Sequence, residues 1–461
     1  METTLKNHAF SLLIHSLHTF ILLACITSET YIFINKYHPL HHLIPLFFIL
    51  VFPNLCKPSS QVFLLDFSCL KPSPSLRVPS AALMEHLSMI DGFDQESLSF
   101  LSKVISSSGL GEETYFPPSL RHLPPRTDHK SCIQEAHMLF FPILQDLFSK
   151  TKISPQEIDI LVLNCSAFCS SPSLSSIIVN RFAMRDNVKT FNLSGMGCSA
   201  GVISIDIART LLQLNRGSFA LIISTEVLST GWYSGKDQRK LLLNCVFRSG
   251  SAAMLLTNKK VKNLKYKLLH LVRTQRAFDD TSYHSAIREE DSKGITGVSI
   301  ERNLLHVARD LIRSHVIILG KIILPFRERA KYVIMVLILQ CVSSDKKRSP
   351  VPEFRAAVKH FCMPASGRGM IKEMGKGLGL GEREIEAALM TFRRFGNQSS
   401  SSMWYQLGYM EGKQRIRKGD KVWQLGMGTG PKCNSVVWEC LRVVKGEELA
   451  QKGPWERLIK G

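Results

Sequence analysis

Apolar and polar positions divide the chain into two regimes. The first fifty-odd residues carry two nearly unbroken apolar runs, residues 10–27 (FSLLIHSLHTFILLACIT) and residues 43–55, the latter with LFFILVF between Pro45 and Pro53. After them, short apolar segments alternate with stretches of helical periodicity. Residues 157–165 (EIDILVLNC) have a wholly apolar centre, which predicts a strand buried on both faces, entered through a capping turn at Ser154-Pro155. Residues 188–193 predict another strand, closed by the sharp turn Ser194-Gly195-Met196-Gly197. Within residues 198–214, VISIDIARTLLQL places apolar residues at helical spacing. Residues 219–224, 252–256 and 266–272 predict further strands. Residues 311–341 are a weaker stretch, with apolar runs among Arg and Lys, and 343–352 (SSDKKRSPVP) has the composition of a linker. Beyond it, residues 384–392 and 400–417 predict helices and 421–427 a strand, after which Gly428-Thr429-Gly430-Pro431 is expected to open another helix. Alternating strands and helices in both parts indicate a layered α/β fold.

Spanning a bilayer takes about 20 apolar residues, with about 17 as the lower limit, so run 10–27 qualifies marginally and run 43–55 is short. A secretory signal is the rival reading. Against it, Lys6 is the only basic residue before the apolar run, and a second run follows closely. The expectation is an N-terminal membrane anchor over residues 1–57, of one or two spans. Two spans leave residues 58–461 on the cytosolic side, where basic residues favour retention. The body divides into an N-terminal half, 58–342, and a C-terminal half, 353–445.

Composition narrows the chemistry. In 461 residues the formal net charge is +20, which favours anionic partners. Nucleic acid is set aside, because the chain has no Cys/His zinc spacing, no basic heptads and no aromatic-laced RNA-binding motif. Twelve cysteines are too dilute for a disulfide framework and form no CxxC pair. Cys165 and Cys169 lack the neighbours that would complete a metal site, so no metal is expected. Cys198 stands apart from the other thiols. It follows a glycine-rich turn and opens a predicted helix, where free N–H groups and the positive end of the helix dipole favour a thiolate. Gly195, Gly197 and Gly201 would let backbone and substrate approach it closely. The local pattern leaves two readings open, a nucleophile or an inert buried cysteine.

The segment NLSGMGCSAG, residues 192–201, resembles the nucleophile segment of the plant very-long-chain 3-ketoacyl-CoA synthases. These are the fatty-acid-elongase condensing enzymes, relatives of chalcone synthase and the thiolases. The resemblance continues through DFSCLKP (66–72), SSGLGEETYFPP (107–118), LVLNCSAFCSSPSLSSIIVNRF (161–182) and NCVFRSGSAAMLLTN (244–258). It resumes at RFGNQSSSSMWYQLGYMEGK (394–413) and WQLGMGTGPKCNSVVWECLR (423–442). It implies a thiolase-like five-layer αβαβα fold of two related halves, behind transmembrane segments in the endoplasmic reticulum, with the catalytic body cytosolic. It also implies a decarboxylative Claisen condensation of long-chain acyl-CoA with malonyl-CoA through a cysteine thioester. No cofactor is implied beyond the coenzyme A thioesters used as substrates. The implied partners are the membrane, a second synthase in a homodimer or heterodimer, and other elongase subunits.

Carried across residue by residue, the resemblance assigns the nucleophile to Cys198 and the enolate-binding asparagine to Asn397. It assigns an acyl-site loop to Gly428, Thr429 and Gly430, and retains His360 and His270 as catalytic candidates. Three family histidines are replaced. Pro364 stands four residues after His360, where the family has its catalytic histidine; Gln275 and Arg393 stand at two other histidine positions. Proline can neither donate nor accept a proton through its side chain. Two functions therefore follow from the resemblance: an active condensing enzyme, or a catalytically impaired member that serves as a non-catalytic partner in elongase complexes.

Overall fold

The structure, a computed structural model, describes residues 61–342, 351–442 and 453–455. The two N-terminal apolar runs, and with them the expected anchor over 1–57, lie outside these residues. So does most of the expected linker. Among the described residues no helix is long and apolar enough to cross a membrane.

Eleven strands are present among the described residues: β1 (Phe63–Cys69), β2 (Ile160–Asn164), β3 (Lys189–Leu193), β4 (Phe219–Thr225), β5 (Ser251–Thr257), β6 (Tyr266–Gln275), β7 (Ala286–Glu290), β8 (Thr296–Ile300), β9 (His360–Cys362), β10 (Lys421–Gly428) and β11 (Lys432–Cys440). Nine of them form one sheet in the order β3-β2-β4-β5-β1-β6-β11-β10-β9, while β7 and β8 pair separately. The large sheet repeats one plan. In the first half β2 is parallel to β4, and β5 is antiparallel to both β4 and β1. In the second half β9 is parallel to β10, and β11 is antiparallel to both β10 and β6. So β9, β10, β11 and β6 stand where β2, β4, β5 and β1 stand, and β3 has no counterpart among the described strands. The halves join where β1 meets β6, through only two residue pairs, Phe63–Lys267 and Leu64–Tyr266.

Side-chain alternation shows how the layers arise. Along β4, Ala220 and Ile222 face a central core, whereas Phe219, Leu221 and Ile223 face an outer one. The central core is filled by the helices Ala200–Leu214 and Ser402–Gly412, which bring Val202, Ile205, Trp404 and Leu407 against strands of both halves. The long helix His129–Thr151 covers the outer face of the first half, through residues such as Leu139, Phe140 and Leu147. Helices Leu304–Ile323 and Glu382–Phe395 cover that of the second half, with Leu311, Leu319 and Phe392 packed on Trp423 and Val437. Helix, sheet, paired helices, sheet, helix: these are the five layers and two related halves that the sequence resemblance implied.

Three local expectations are corrected. The Gly428–Pro431 turn opens a strand, since β11 pairs antiparallel with β10 along its length. Residues 432–440 (KCNSVVWEC) are rich in β-branched and aromatic side chains that favour the pleated surface. The stretch after residue 303 holds two helices, Leu304–Ile323 and Phe326–Val342. The helix expected over 400–417 is shorter, Ser402–Gly412, because the chain must reverse through Gln414 at positive φ to begin β10.

Candidate active site

The first half delivers Cys198 on a turn that only glycine accommodates easily. After β3, Gly195 and Gly197 take φ values of 70° and 55°. These lie in the left-handed region, where a Cβ is costly. A Cβ on Gly197 would also come within 2.8 Å of the Thr429 amide nitrogen. Cys198 is the middle residue of the 3₁₀ turn Gly197–Ser199, which runs directly into the helix Ala200–Leu214. In the second half the corresponding place is held by the 3₁₀ turn Ser399–Ser401, which runs into Ser402–Gly412.

The two helix starts meet. Ser399 Oγ lies 3.3 Å from Cys198 Sγ and 3.1 Å from Glu226 Oε1. Glu226 follows β4 and accepts backbone N–H bonds from Ser166 at 2.9 Å and Ala167 at 3.2 Å. Ser399 has φ of 55°, a strained value for a residue with a Cβ, and is held there by its own N–H donating to Asn397 Oδ1 at 2.8 Å. One residue on, Ser400 Oγ donates to Asn164 Oδ1 at 2.6 Å; Asn164 Nδ2 in turn donates to Ser204 and Ser224, so the halves are tied by a buried polar network. A serine hydroxyl has one hydrogen, so Ser399 cannot donate to sulfur and carboxylate together. With Glu226 ionised, the consistent arrangement has Ser399 donating to Glu226 and accepting from the Cys198 S–H.

The expectation of a thiolate-favouring environment is corrected. Burial pushes the Cys198 thiol up to about 11; the Ser399 hydroxyl pulls it down only when its hydrogen is turned to the sulfur instead of to Glu226, and the Glu226 carboxylate pushes it further up. Burial also raises Glu226, against the N–H and hydroxyl bonds that lower it. The helix starts are present, but desolvation of the sulfur outweighs them. Alkylation of Cys198 by iodoacetamide should therefore accelerate about tenfold per pH unit from about pH 7 to 10 without levelling off. At pH 7 it should lag behind alkylation of Cys169, which is exposed. A rate that plateaus below pH 9, read by mass spectrometry of the two peptides, contradicts this.

The remaining predicted residues separate into those near the nucleophile and those that are not. The glycine loop is near it. A Cβ on Gly428 would overlap Met196 O and Ser199 N, and one on Gly426 would press on Cys198 O, so β10 passes directly under the nucleophile turn. Thr429 Oγ1 donates to Gly195 O at 3.2 Å, and Lys432 Nζ donates to Thr429 O and Gly430 O. Asn397 is buried two residues from Ser399, its backbone bonded to Val246 and Arg248. Its Oδ1 is committed to Ser399, which leaves Nδ2 as the donor for an oxyanion.

Pro364 is also on this side. β9 runs parallel to β10 with Cys362 opposite Gln424 as the last pair, and Pro364 follows two residues beyond, off the end of the strand that points the way β10 runs to Gly426. Cys362 faces the central core, and alternation turns Pro364 the same way. His360 is four residues back, about 13 Å along the strand. There its Nε2 bonds Asp420 Oδ2 at 3.0 Å, at the end of the sheet remote from Cys198. His270 lies opposite Val437 in mid-sheet, and alternation from Leu271 and Val272 turns it to the outer face. Burial and Lys421 lower its pKa. Gln275 pairs with Lys432 at the exposed rim, and Arg393 is exposed on the last turn of Glu382–Phe395. The structure thus brings Cys198, Asn397 and the glycine loop together, and places His360 and His270 elsewhere. Sequence reasoning missed Ser399 and Glu226. Glu226 had a readable signal, an acid at the end of a strand that opens with the apolar run FALII; Ser399, inside a run of four serines, had none.

Known proteins resemble the chain in sequence and in fold. Residues 54–341 match the family described as FAE1/type III polyketide synthase-like protein, and residues 355–440 match the 3-oxoacyl-[acyl-carrier-protein] synthase III C-terminal family. Among solved structures, the chain resembles PKS-I of the brown alga Ectocarpus siliculosus, with a TM-score of 0.64 at 16% identity over 84% of this chain and 100% of that one. It also resembles 1,3,6,8-tetrahydroxynaphthalene synthase of Streptomyces coelicolor, with a TM-score of 0.63 at 14% identity over 83% and 100%. At such identities the likeness establishes the fold. In sequence the chain is 42% identical to 3-ketoacyl-CoA synthase 6 of Arabidopsis thaliana over 88% of this chain and 81% of that protein. It is 43% identical to 3-ketoacyl-CoA synthase 17 of the same plant, over 88% and 83%. With the duplicated fold, the half-buried cysteine at the meeting of two helix starts and this similarity over most of its length, the chain belongs to the 3-ketoacyl-CoA synthase family.

Proposed function

We propose that the protein condenses a long-chain acyl-CoA with malonyl-CoA in very-long-chain fatty acid elongation. The observation that carries this reading is the convergence of Cys198, Asn397 and the Gly428–Gly430 loop at the junction of the two halves. Cys198 attacks the acyl-CoA carbonyl and displaces coenzyme A, leaving an acyl thioester on sulfur. Malonyl-CoA then loses carbon dioxide, and its enolate attacks that thioester. The product is 3-ketoacyl-CoA, two carbons longer, with the cysteine thiol regenerated. Asn397 Nδ2 donates to the enolate oxygen. Coenzyme A thioesters are the only substrates, and neither metal nor prosthetic group takes part in these steps.

A thiol raised by burial needs a proton acceptor, and Ser399 with Glu226 supplies a path: S–H to Ser399 Oγ, and Ser399 O–H to Glu226. Glu226→Gln distinguishes this role from that of a nearby charge. Removing the carboxylate charge lowers the Cys198 pKa and quickens alkylation, yet as a lost acceptor it should slow acylation by about 100-fold. Faster alkylation together with unchanged acylation would leave Glu226 as a bystander.

Pro364 favours a second reading, in which Cys198 still acylates while condensation is slow and the protein acts mainly as a partner of other synthases. Under either reading, residues 1–57 anchor the protein in the endoplasmic reticulum membrane, with the body cytosolic and paired with a second synthase and other elongase subunits. The test is to supply microsomes holding the full chain with radiolabelled acyl-CoA and malonyl-CoA. Malonyl-dependent 3-ketoacyl product that disappears in Cys198→Ala supports condensation. Acyl-enzyme without product supports the second reading, and neither acyl-enzyme nor product refutes both.

A further inference from the structure

We propose that the helix Phe326–Val342 inserts obliquely into one leaflet of a bilayer carrying anionic headgroups, as a contact separate from the N-terminal runs. From Phe326 to Ile338 none of its residues is buried. Phe326 is 78% exposed, Ile334 56% and Leu337 55%, and Val333, Met335 and Ile338 are exposed beside them. Scattered exposed apolar residues are ordinary, but a contiguous set on one helix marks a surface that something covers.

The distribution of these residues says what covers it. At 100° per residue, positions 333, 334, 335, 337 and 338 spread over more than half the helix circumference. A partner groove is filled by a stripe about 100° wide. The chemistry is instead segregated along the axis. The first turns carry Arg327, Arg329 and Lys331 against Glu328 alone, and Lys331 pairs with Glu328 at 2.7 Å. From Tyr332 to Val342 the sequence YVIMVLILQCV has no charge. A medium whose polarity changes with depth matches a helix whose polarity changes along its length. Eleven residues of helix rise about 16 Å, roughly half of a hydrocarbon core about 30 Å thick. That depth suits entry into one leaflet and is too short for a span. The net positive first turns then lie among headgroups, attracted by anionic lipid. The preceding helix adds exposed Lys321, Ile318 and Ile322 to the same chemistry. The inference stands whether or not the chain condenses acyl-CoA.

The test uses the full chain reconstituted in vesicles of radiolabelled phosphatidylcholine, with or without phosphatidylserine. The photoreactive residue p-benzoylphenylalanine replaces Leu337 in one sample and Leu214, exposed on another helix, in a second. On irradiation, a lipid adduct at 337 at least fivefold above that at 214, and larger with phosphatidylserine, is the expected result. Arg327→Glu combined with Lys331→Glu should remove the phosphatidylserine-dependent increase. A crosslinked dimer from position 337 would mean that a second copy covers the helix. An internal adduct to residues before 58 would mean that the chain's own apolar runs do. Either outcome, or lipid adduct no greater than at 214, overturns the proposal, and equal yield with and without phosphatidylserine overturns its anionic part.

Discussion

Pro364→His raises malonyl-CoA-dependent product formation by about 100-fold, the usual worth of a positioned acid–base or oxyanion group. Position 364 lies two residues past the last β9–β10 pair, beyond the strand end directed toward Gly426, and alternation from Cys362 turns it toward the central layer. An imidazole there would join Asn397 at the enolate oxygen. The backbone ahead of it is already clamped: Met363 N–H donates to Gln406 Oε1 at 2.7 Å, and Gln406 Nε2 donates to Met363 O at 2.6 Å. The residue can therefore change without the strand end moving. Acylation of Cys198 should change far less, because the Ser399–Glu226 contact is independent of residue 364. Measuring acyl-enzyme and 3-ketoacyl product in the same samples separates the two steps. Wild-type condensation already as fast as the variant's would show that another group fills the role. His360 is a poor candidate for it, being bonded to Asp420 at the other end of β9.

Lys265→Met should cost about 3–5 kcal/mol of folding stability, the penalty for stranding buried charge. Lys265 Nζ lies 2.7 Å from Asp66 Oδ1 and 3.3 Å from Glu411 Oε2, and the Tyr266 hydroxyl donates to Glu411 Oε1 at 2.8 Å. All three charged groups are largely buried, beside the two-residue pairing that joins the halves of the sheet. Asp66 is held below the usual carboxylate range by Lys265 against the opposing effect of burial, while burial raises Glu411. Without the lysine, burial of the two acids is opposed only by the Phe67 N–H and the nearby Lys150 at Asp66 and by the Tyr266 hydroxyl at Glu411, and their folded-state pKa values are expected to rise above the unfolded ones. Stability of the variant is then fully present below the unfolded carboxylate pKa and lost as pH rises through the folded values. Denaturation followed by tryptophan fluorescence should show a smaller deficit at pH 5 than at pH 8. Lys265→Met/Glu411→Gln should recover part of it. A deficit independent of pH would assign the loss to packing of the lysine stem.

What the sequence made legible, and what it hid, follows from how each signal arises. β2 and β4 were readable because strands buried on both faces carry unbroken apolar runs, ILVL and FALII, whatever their neighbours. The nucleophile turn was readable because left-handed backbone demands glycine at 195 and 197. The turn after β10 was misread because Gly-Thr-Gly-Pro suits a helix start and a hairpin equally, and register decides between them. The helix Phe326–Val342 was blurred because its apolar residues occupy no single face. His360 was readable as a residue, but its distance from Cys198 depends on which end of a parallel strand points to the site. The Cys198 environment was misjudged in sign, because helix position is written in the sequence while burial of the sulfur is created by the other half, about 200 residues away.

The joining of the sheet through β1 sets a schedule for the ribosome. β1 is made early, yet Phe63 pairs with Thr257 of β5 and with Lys267 of β6. At synthesis rates of about 5–20 residues per second, those partners follow about 10–40 s later. Throughout that interval the strand FLLDFSC is an unpaired apolar edge, the kind of segment that seeds aggregation. Asp66 is its only charge, placed in the middle. The carboxylate that is costly to bury in the finished protein therefore guards the nascent one, and Lys265 emerges beside β5 and β6, just as that protection stops being needed.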